Sequence, residues 1–151
     1  MTIDTKRESF IYEGLGFPIR LINVPMRKIF GEWAMDINFN SLQKNVLNLL
    51  ARKPMPLSGG ELRFIMGCLE MSTREFASIF DVTHVAVLKW LKEDVKMNTN
   101  TEICLRLYLL DYLRITDKEF RKLYVKIRAY NFTNFEDGSN PMEIDIEKTA
   151  C

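Results

Sequence analysis

The chain has 151 residues, of which 47% are hydrophobic, so it can bury one substantial core and favours a single compact domain. Its 21 Lys and Arg residues balance 20 Asp and Glu residues, which excludes a polycation that would hold nucleic acid through bulk charge. Three distant cysteines without a CxxC pair exclude a zinc ribbon and a disulfide framework, and favour a reducing, cytoplasmic compartment. The polar N-terminus and the lack of a long apolar run predict neither a signal peptide nor a membrane span.

Residues 1–40 predict a leader followed by a small β-sheet. The first ten residues are polar and are interpreted as a loose leader. After them, β-branched and aromatic residues punctuated by glycine and proline are typical of short strands. The internal prolines would confine these strands to sheet edges or bulges. We expect two or three strands, with the hairpin turn at Gly31-Glu32.

Residues 41–115 have the apolar spacing of a helical bundle. Leu42, Val46 and Leu50 recur at helical period, so a first helix should start at a cap on Asn40 or Ser41 and end before Pro54. The segment RKPMPLSGG is interpreted as a linker, after which Ser58 or Gly59 opens a second helix over ELRFIMGCLEM.

Residues 72–92 contain two amphipathic segments, STREFASIF and THVAVLKWLK. Only Asp81-Val82 separates them, which is too short for any connection except a tight turn between two crossing helices. Ser72 and Glu75 have capping-box spacing, and Asp81 tolerates the left-handed backbone that such a turn requires. Ala77 supplies the small residue needed where the next helix passes close by. The pattern predicts a helix-turn-helix.

The C-terminal region offers alternatives. Residues 101–113, capped by Asn100 or Thr101, carry apolar residues on more than one face, which predicts either a subunit interface or burial beneath the N-terminal sheet. A basic helix is predicted over 116–130, with a face that is either solvated or in contact with DNA or an acidic segment. Residues 131–151 form an acidic tail, in which MEIDIE has the alternation of a strand.

The second helix of the pair carries side chains suited to base edges. His84 matches purine edges, Val85 a thymine methyl, and Lys89 the O6 and N7 atoms of guanine. The remaining candidates for DNA contact, chiefly with phosphates, are Thr73, Arg74, Thr83 and Lys92. Between Leu57 and Lys92 four basic residues balance four acidic ones, so a bundle of this shape that does not bind DNA is the competing interpretation.

Enzymatic chemistry finds little support in this sequence. His84 is the only histidine and has no neighbouring metal ligands, and the pair Glu93-Asp94 is interpreted as solvated carboxylates. No phosphate loop, dinucleotide fingerprint or nucleophile elbow is present. We expect no catalytic residue, no metal and no cofactor.

The stretch from Leu57 to Lys92 resembles the phage-repressor-like (XRE or Cro/repressor) helix-turn-helix family. Within it, the segment is similar to the C-terminal domains of MqsA-like and HigA-like antitoxins and related bacterial regulators, in which an LTGxEIRFLR opening precedes the motif and Trp-Glu closes it. Here those ends read LSGGELRFIM and Trp90-Leu91. The resemblance implies a lambda-repressor-like bundle of five short helices, a symmetric dimer and a palindromic operator. It assigns base contact to His84, Val85 and Lys89, phosphate contact to Thr73, and core roles to Ala77, Val87 and Trp90.

Two departures limit this resemblance. Leu91 replaces the usual acidic residue, and the N-terminal region lacks the cysteine pairs with which zinc-bearing antitoxins fold their toxin-binding half. The sequence thus predicts a mainly α protein with a small N-terminal sheet (α+β). It would be an antitoxin-like transcriptional regulator that binds double-stranded operator DNA as a homodimer. The alternative is an adaptor or antitoxin that holds a partner protein, such as a toxin, without reading DNA.

Overall fold

A computed structural model describes residues 4–114, 125 and 141–148 of the chain. Over these residues the fold is α+β, with five helices and a four-stranded sheet. The chain divides into two compact units, residues 1–46 with 139–151 and residues 47–138. The basic helix predicted over 116–130 lies outside the described residues apart from Val125, as does the first part of the acidic tail.

The sheet is organised around one long central strand. The strands are β1 (Thr5–Tyr12), β2 (Ile19–Ile29), β3 (Glu32–Met35) and β4 (Glu143–Asp145). Strand β1 pairs antiparallel with one edge of β2. On the other edge, β4 pairs in parallel with the first part of β2, and β3 pairs antiparallel with the last part. Ile19, Leu21 and Val24 of β2 are buried. For the segment MEIDIE, predicted as part of an acidic tail or as a strand, the structure has a strand over Glu143–Asp145.

The prediction of a loose leader is wrong from Thr5 onward, because this segment forms β1. Most β1 side chains are exposed, and the strand is held by main-chain pairing from Thr5↔Arg27 to Tyr12↔Ile19. A search for apolar alternation does not detect a strand of this kind. Its pairing is interrupted by a bulge, at which Asn23 adopts a φ of 55° and donates its N–H to the Ser9 hydroxyl.

The sequence predicts that proline confines strands to sheet edges or bulges. Strand β2, which contains Pro25, is central and not an edge, and it has a bulge two residues earlier, at Asn23. The Pro25 carbonyl accepts a hydrogen bond from Asp36 N–H, one residue beyond the end of β3. The nitrogen and the carbonyl of one strand residue face the same edge of the strand. Pro25, which has no N–H to donate, therefore lies at a point of this edge where β3 has ended and β4 is not paired. The hairpin turn is Phe30-Gly31, one residue earlier than predicted, and both residues have positive φ.

The five helices predicted between residues 41 and 113 are present, two of them with shifted caps. They are α1 (Phe39–Arg52), α2 (Gly59–Cys68), α3 (Thr73–Ile79), α4 (His84–Leu91) and α5 (Thr99–Tyr112). Asn38 caps α1 in place of Asn40 or Ser41, and Asn98 caps α5 in place of Asn100 or Thr101. Both helices begin before their first buried apolar residue, so apolar period locates their starts too late.

The segment RKPMPLSGG, interpreted as a linker, is held by hydrogen bonds to two buried charged residues of α5. Arg106, 1% exposed, donates to the carbonyls of Leu50, Lys53 and Met55 at 2.6, 2.7 and 2.8 Å. The carboxylate of Glu102 accepts from Leu57 N–H at 2.7 Å and lies 3.9 Å from the Arg106 guanidinium. The end of α1 and the residues after it therefore depend on two charged side chains.

Replacing Arg106 with Met should destabilise the protein by about 3–5 kcal/mol, because a buried carboxylate and several carbonyls would lose their partner. The unfolding free energy from urea titration measures the effect. The exposed Arg63 of α2 provides the matched control, and Arg63→Met should stay within about 0.5 kcal/mol of the parent. Equal effects of the two changes would contradict a special role for Arg106.

Two glycines of α2 allow a second matched comparison. A Cβ on Gly59 would collide with the carbonyl oxygen of Leu91, whereas a Cβ on Gly67 meets nothing within 4 Å. We expect Gly59→Ala to destabilise by about 1–3 kcal/mol, because backbone must move. Gly67→Ala should stabilise by about 0.5–1 kcal/mol through the better helix propensity of alanine. Denaturation midpoints that shift in the same direction would contradict the close approach at Gly59.

Candidate nucleic-acid interface

Helices α3 and α4 are positioned by side-chain caps at both starts. The Ser72 hydroxyl accepts from Glu75 N–H at 3.1 Å, and the Thr83 hydroxyl accepts from Ala86 N–H at 3.0 Å. The predicted capping box at Ser72 is only half formed, since the Glu75 carboxylate accepts from the Ser72 hydroxyl and not from its backbone N–H. A full capping box does form, at Ser58 and Glu61 of α2.

The turn between the two helices has the predicted geometry. Asp81 has a φ of 53°, and Val82 N–H donates to the Ala77 carbonyl at 3.0 Å, which closes the end of α3. Ala77 is 6% exposed, as expected of the small residue at a close helix contact. Phe76, Val87 and Trp90 are also buried, so the expected core residues of this pair are confirmed.

One stripe of α4 is exposed to solvent. Val85, Lys89 and Lys92 lie at spacings of four and three residues, which places them on one side of the helix. Val85 is 58% exposed. Within the described part of the chain, no ion pair or side-chain hydrogen bond occupies either lysine.

The other predicted site residues lie in the first turn of α3 and at the start of α4. Arg74 and Thr83 are exposed, and Thr73 is half-buried in the first turn of α3. His84 is also half-buried, and its Nδ1 atom is buried with no hydrogen-bond partner among the described residues. A contact of His84 with a base edge is therefore left to Nε2, which narrows the role expected from the sequence.

Two contacts that sequence reasoning missed hold the C-terminal end of α4. The Glu93 carboxylate accepts from Gly59 N–H at 2.7 Å, and the Leu91 carbonyl packs against the Gly59 Cα, where a side chain has no room. The sequence places both glycines, Gly59 and Gly60, at the end of a predicted linker, with Ser58 or Gly59 opening the helix, although glycine at a helix start also signals a close backbone approach. Leu91 and Glu93 thus fix the C-terminal end of α4 against Gly59, at the start of α2.

The described residues contain no cluster of three or more His, Cys, Asp or Glu side chains suited to a metal ion. Cys68 and Cys104 are free thiols. In the same residues, no helix combines the length and apolar character needed to cross a bilayer.

No family model, curated protein or solved structure matches the chain.

Proposed function

We propose that this protein is a sequence-specific DNA-binding regulator that places α4 in the major groove, on a lambda-repressor-like helix-turn-helix scaffold. The exposed and unoccupied stripe of Val85, Lys89 and Lys92 carries the proposal. A helix with one buried face and one free cationic face, capped at its start and fixed at its end, meets the requirement for presenting rigid side chains to base edges.

Each side chain of the interface has a chemical role in this proposal. The methyl groups of Val85 contact a thymine methyl, Lys89 donates to guanine O6 and N7, and His84 uses Nε2. Arg74 and Lys92 neutralise phosphates on either side. The hydroxyl groups of Thr73 and Thr83 also donate to DNA phosphates. The Thr83 oxygen accepts a hydrogen bond from Ala86 N–H, which leaves its proton free to donate.

The proposed active form is a homodimer. One subunit offers few cations for phosphate contact, so affinity depends on two copies bound to half-sites about 34 Å apart. Leu107, Tyr108 and Tyr112 form an exposed apolar face on α5, which is the proposed subunit interface. A dimer built through this face would use the helix that the sequence identified as too apolar for a monomer surface.

A protein adaptor is the second candidate function. The balance of acidic and basic residues between Leu57 and Lys92, with Glu75 and Asp81 exposed near the cations, favours it over a strong DNA binder. Such an adaptor would hold a partner protein, a toxin among the possibilities, and would show no sequence preference for DNA. Binding measurements on the α4 variants separate the two functions.

The joint change His84→Ala and Lys89→Ala should weaken DNA binding, with each lost base contact costing about 1–3 kcal/mol. Fluorescence anisotropy with duplex DNA from upstream of the protein's own gene, or from selection on a random pool, measures the loss. Lys44→Ala, at an exposed lysine of α1, should bind like the parent. Parent-like affinity of the double variant would refute these residue assignments, and absence of any sequence-selective binding by the parent would favour the adaptor.

Arg74→Ala should weaken binding to all sequences by a similar factor. In a dimer it removes two phosphate contacts, so the slope of log affinity against log salt should become shallower by about 2. Titrations between low and moderate salt test this, with Lys44→Ala as the charge-matched control. A changed sequence preference with an unchanged slope would instead place Arg74 at a base edge.

A further inference from the structure

The C-terminal segment of 141–148, PMEIDIEK, lies along an edge of β2 in the way that a bound peptide would. Its strand β4 runs parallel to β2, with Arg20↔Glu143, Leu21↔Ile144 and Ile22↔Asp145 as paired residues. Arg20 N–H donates to the Met142 carbonyl at 2.8 Å, and Ile146 N–H donates to the Ile22 carbonyl at 2.9 Å. Main-chain bonds of this kind are the basis of strand addition to a sheet edge.

Three consecutive residues of this segment, 143 to 145, are buried or bound by side chains of β2. Ile144 is 2% exposed, while the acidic residues on either side of it meet polar partners. Arg20 Nε lies 3.2 Å from the Glu143 carboxylate, and Asn23 Nδ2 lies 3.2 and 3.3 Å from the two carboxylate oxygens of Asp145. A segment that binds here therefore needs one apolar residue between two acidic residues. Main-chain pairing alone would accept any sequence.

The bulge of β2 prepares one of these contacts. Asn23 has a left-handed φ of 55°, which costs energy for a residue other than glycine. From β1, Ser9 accepts the Asn23 N–H at 3.1 Å and Arg7 donates to the Asn23 carbonyl at 3.0 Å. Strand β1 therefore holds the bulge in the conformation in which the Asn23 amide faces Asp145. Arg7 also lies 3.6 Å from Glu147, so it contacts the segment directly.

We propose that the edge of β2 from Ile19 to Asn23 is a strand-addition site for an acidic, extended peptide with a central aliphatic anchor, and that β4 fills it in cis. Charge complementarity supports this partner. Strands β1 to β3 carry five basic residues against Glu8 and Glu32, whereas residues 141–148 carry three acidic residues and one lysine. A partner protein with such a segment would pair with β2 in place of β4.

The cis strand is suited to exchange. It pairs over three residues, and its ion pairs join exposed side chains, which contribute little. Besides the buried Ile144, its occupancy depends on being tethered to the same chain, which gives it a high effective concentration. A partner peptide therefore has to compete with both the tether and this anchor. This site is independent of the DNA contacts proposed for α4.

The test uses the full chain and a fluorescently labelled peptide of sequence PMEIDIEK. Ile144→Asp in the chain removes the anchor of the cis strand and opens the edge. We expect this variant to bind the labelled peptide at least about tenfold more tightly than the parent chain, since the cis competitor is gone. A scrambled peptide of the same composition should not bind. Adding Arg20→Glu to the Ile144→Asp chain should weaken binding, because the reversed charge repels the first acidic residue of the peptide.

Three results would overturn the proposal: no binding by the Ile144→Asp chain, equal binding of the scrambled peptide, or no effect of Arg20→Glu. Circular dichroism verifies that each variant is folded. Asp145→Asn, which weakens the cis strand and keeps Ile144, provides a milder opening and should give intermediate binding. If the parent forms a concentration-dependent dimer that the peptide dissociates, a second copy supplies the strand, and the proposed edge is again supported.

Discussion

The helical unit depends on the compensation of one buried charge, the guanidinium of Arg106. Burial of a charge is costly unless hydrogen bonds and a counter-charge replace water. Here the donors of Arg106 go to carbonyls at and beyond the end of α1. Burial raises the pKa of the Glu102 carboxyl, and the nearby Arg106 charge and the Leu57 N–H oppose that shift. Only Arg106 Nε remains buried and unpaired among the described donors of this group.

From this charge a continuous set of contacts leads to α4. The successive N–H groups of Leu57, Ser58 and Gly59 donate to three different carboxylates, at 2.7, 2.8 and 2.7 Å. Those carboxylates belong to Glu102 of α5, Glu61 of α2 and Glu93 just after α4. Three consecutive backbone N–H groups are thus bound by carboxylates that lie in or just after three different helices. The orientation of the exposed stripe on α4 follows from this arrangement, which is the kind of support that a recognition helix requires.

The elements with apolar period were predictable, and those made by polar contacts were not. The spacing of Leu42, Val46 and Leu50 locates α1, and the Asp81-Val82 turn follows from its length. Left-handed helix ends recur at Glu70, Glu93 and Arg114, where no glycine or asparagine signals them. The charges of α5 were also missed, because Glu102 and Arg106 in an apolar helix resemble surface residues until their burial is known. Strand β1 was missed because pairing, and not burial, maintains it.

The structure also changes the meaning of the charge balance on the proposed DNA-binding region. Between Leu57 and Lys92 the sequence counts four basic and four acidic residues, yet Glu61 is 5% exposed and is paired with Lys53 at 2.7 Å. All four basic residues are exposed. The solvent-facing balance is therefore four against three, and the acidic residue removed from it serves backbone donors and Lys53. The same use of acids recurs at Glu93 and Glu102, which accept backbone N–H groups, and at Glu143 and Asp145, which contact the sheet. A chain with a formal net charge of +1 can thus present free cations on α4, because several of its acidic residues bind groups within the fold.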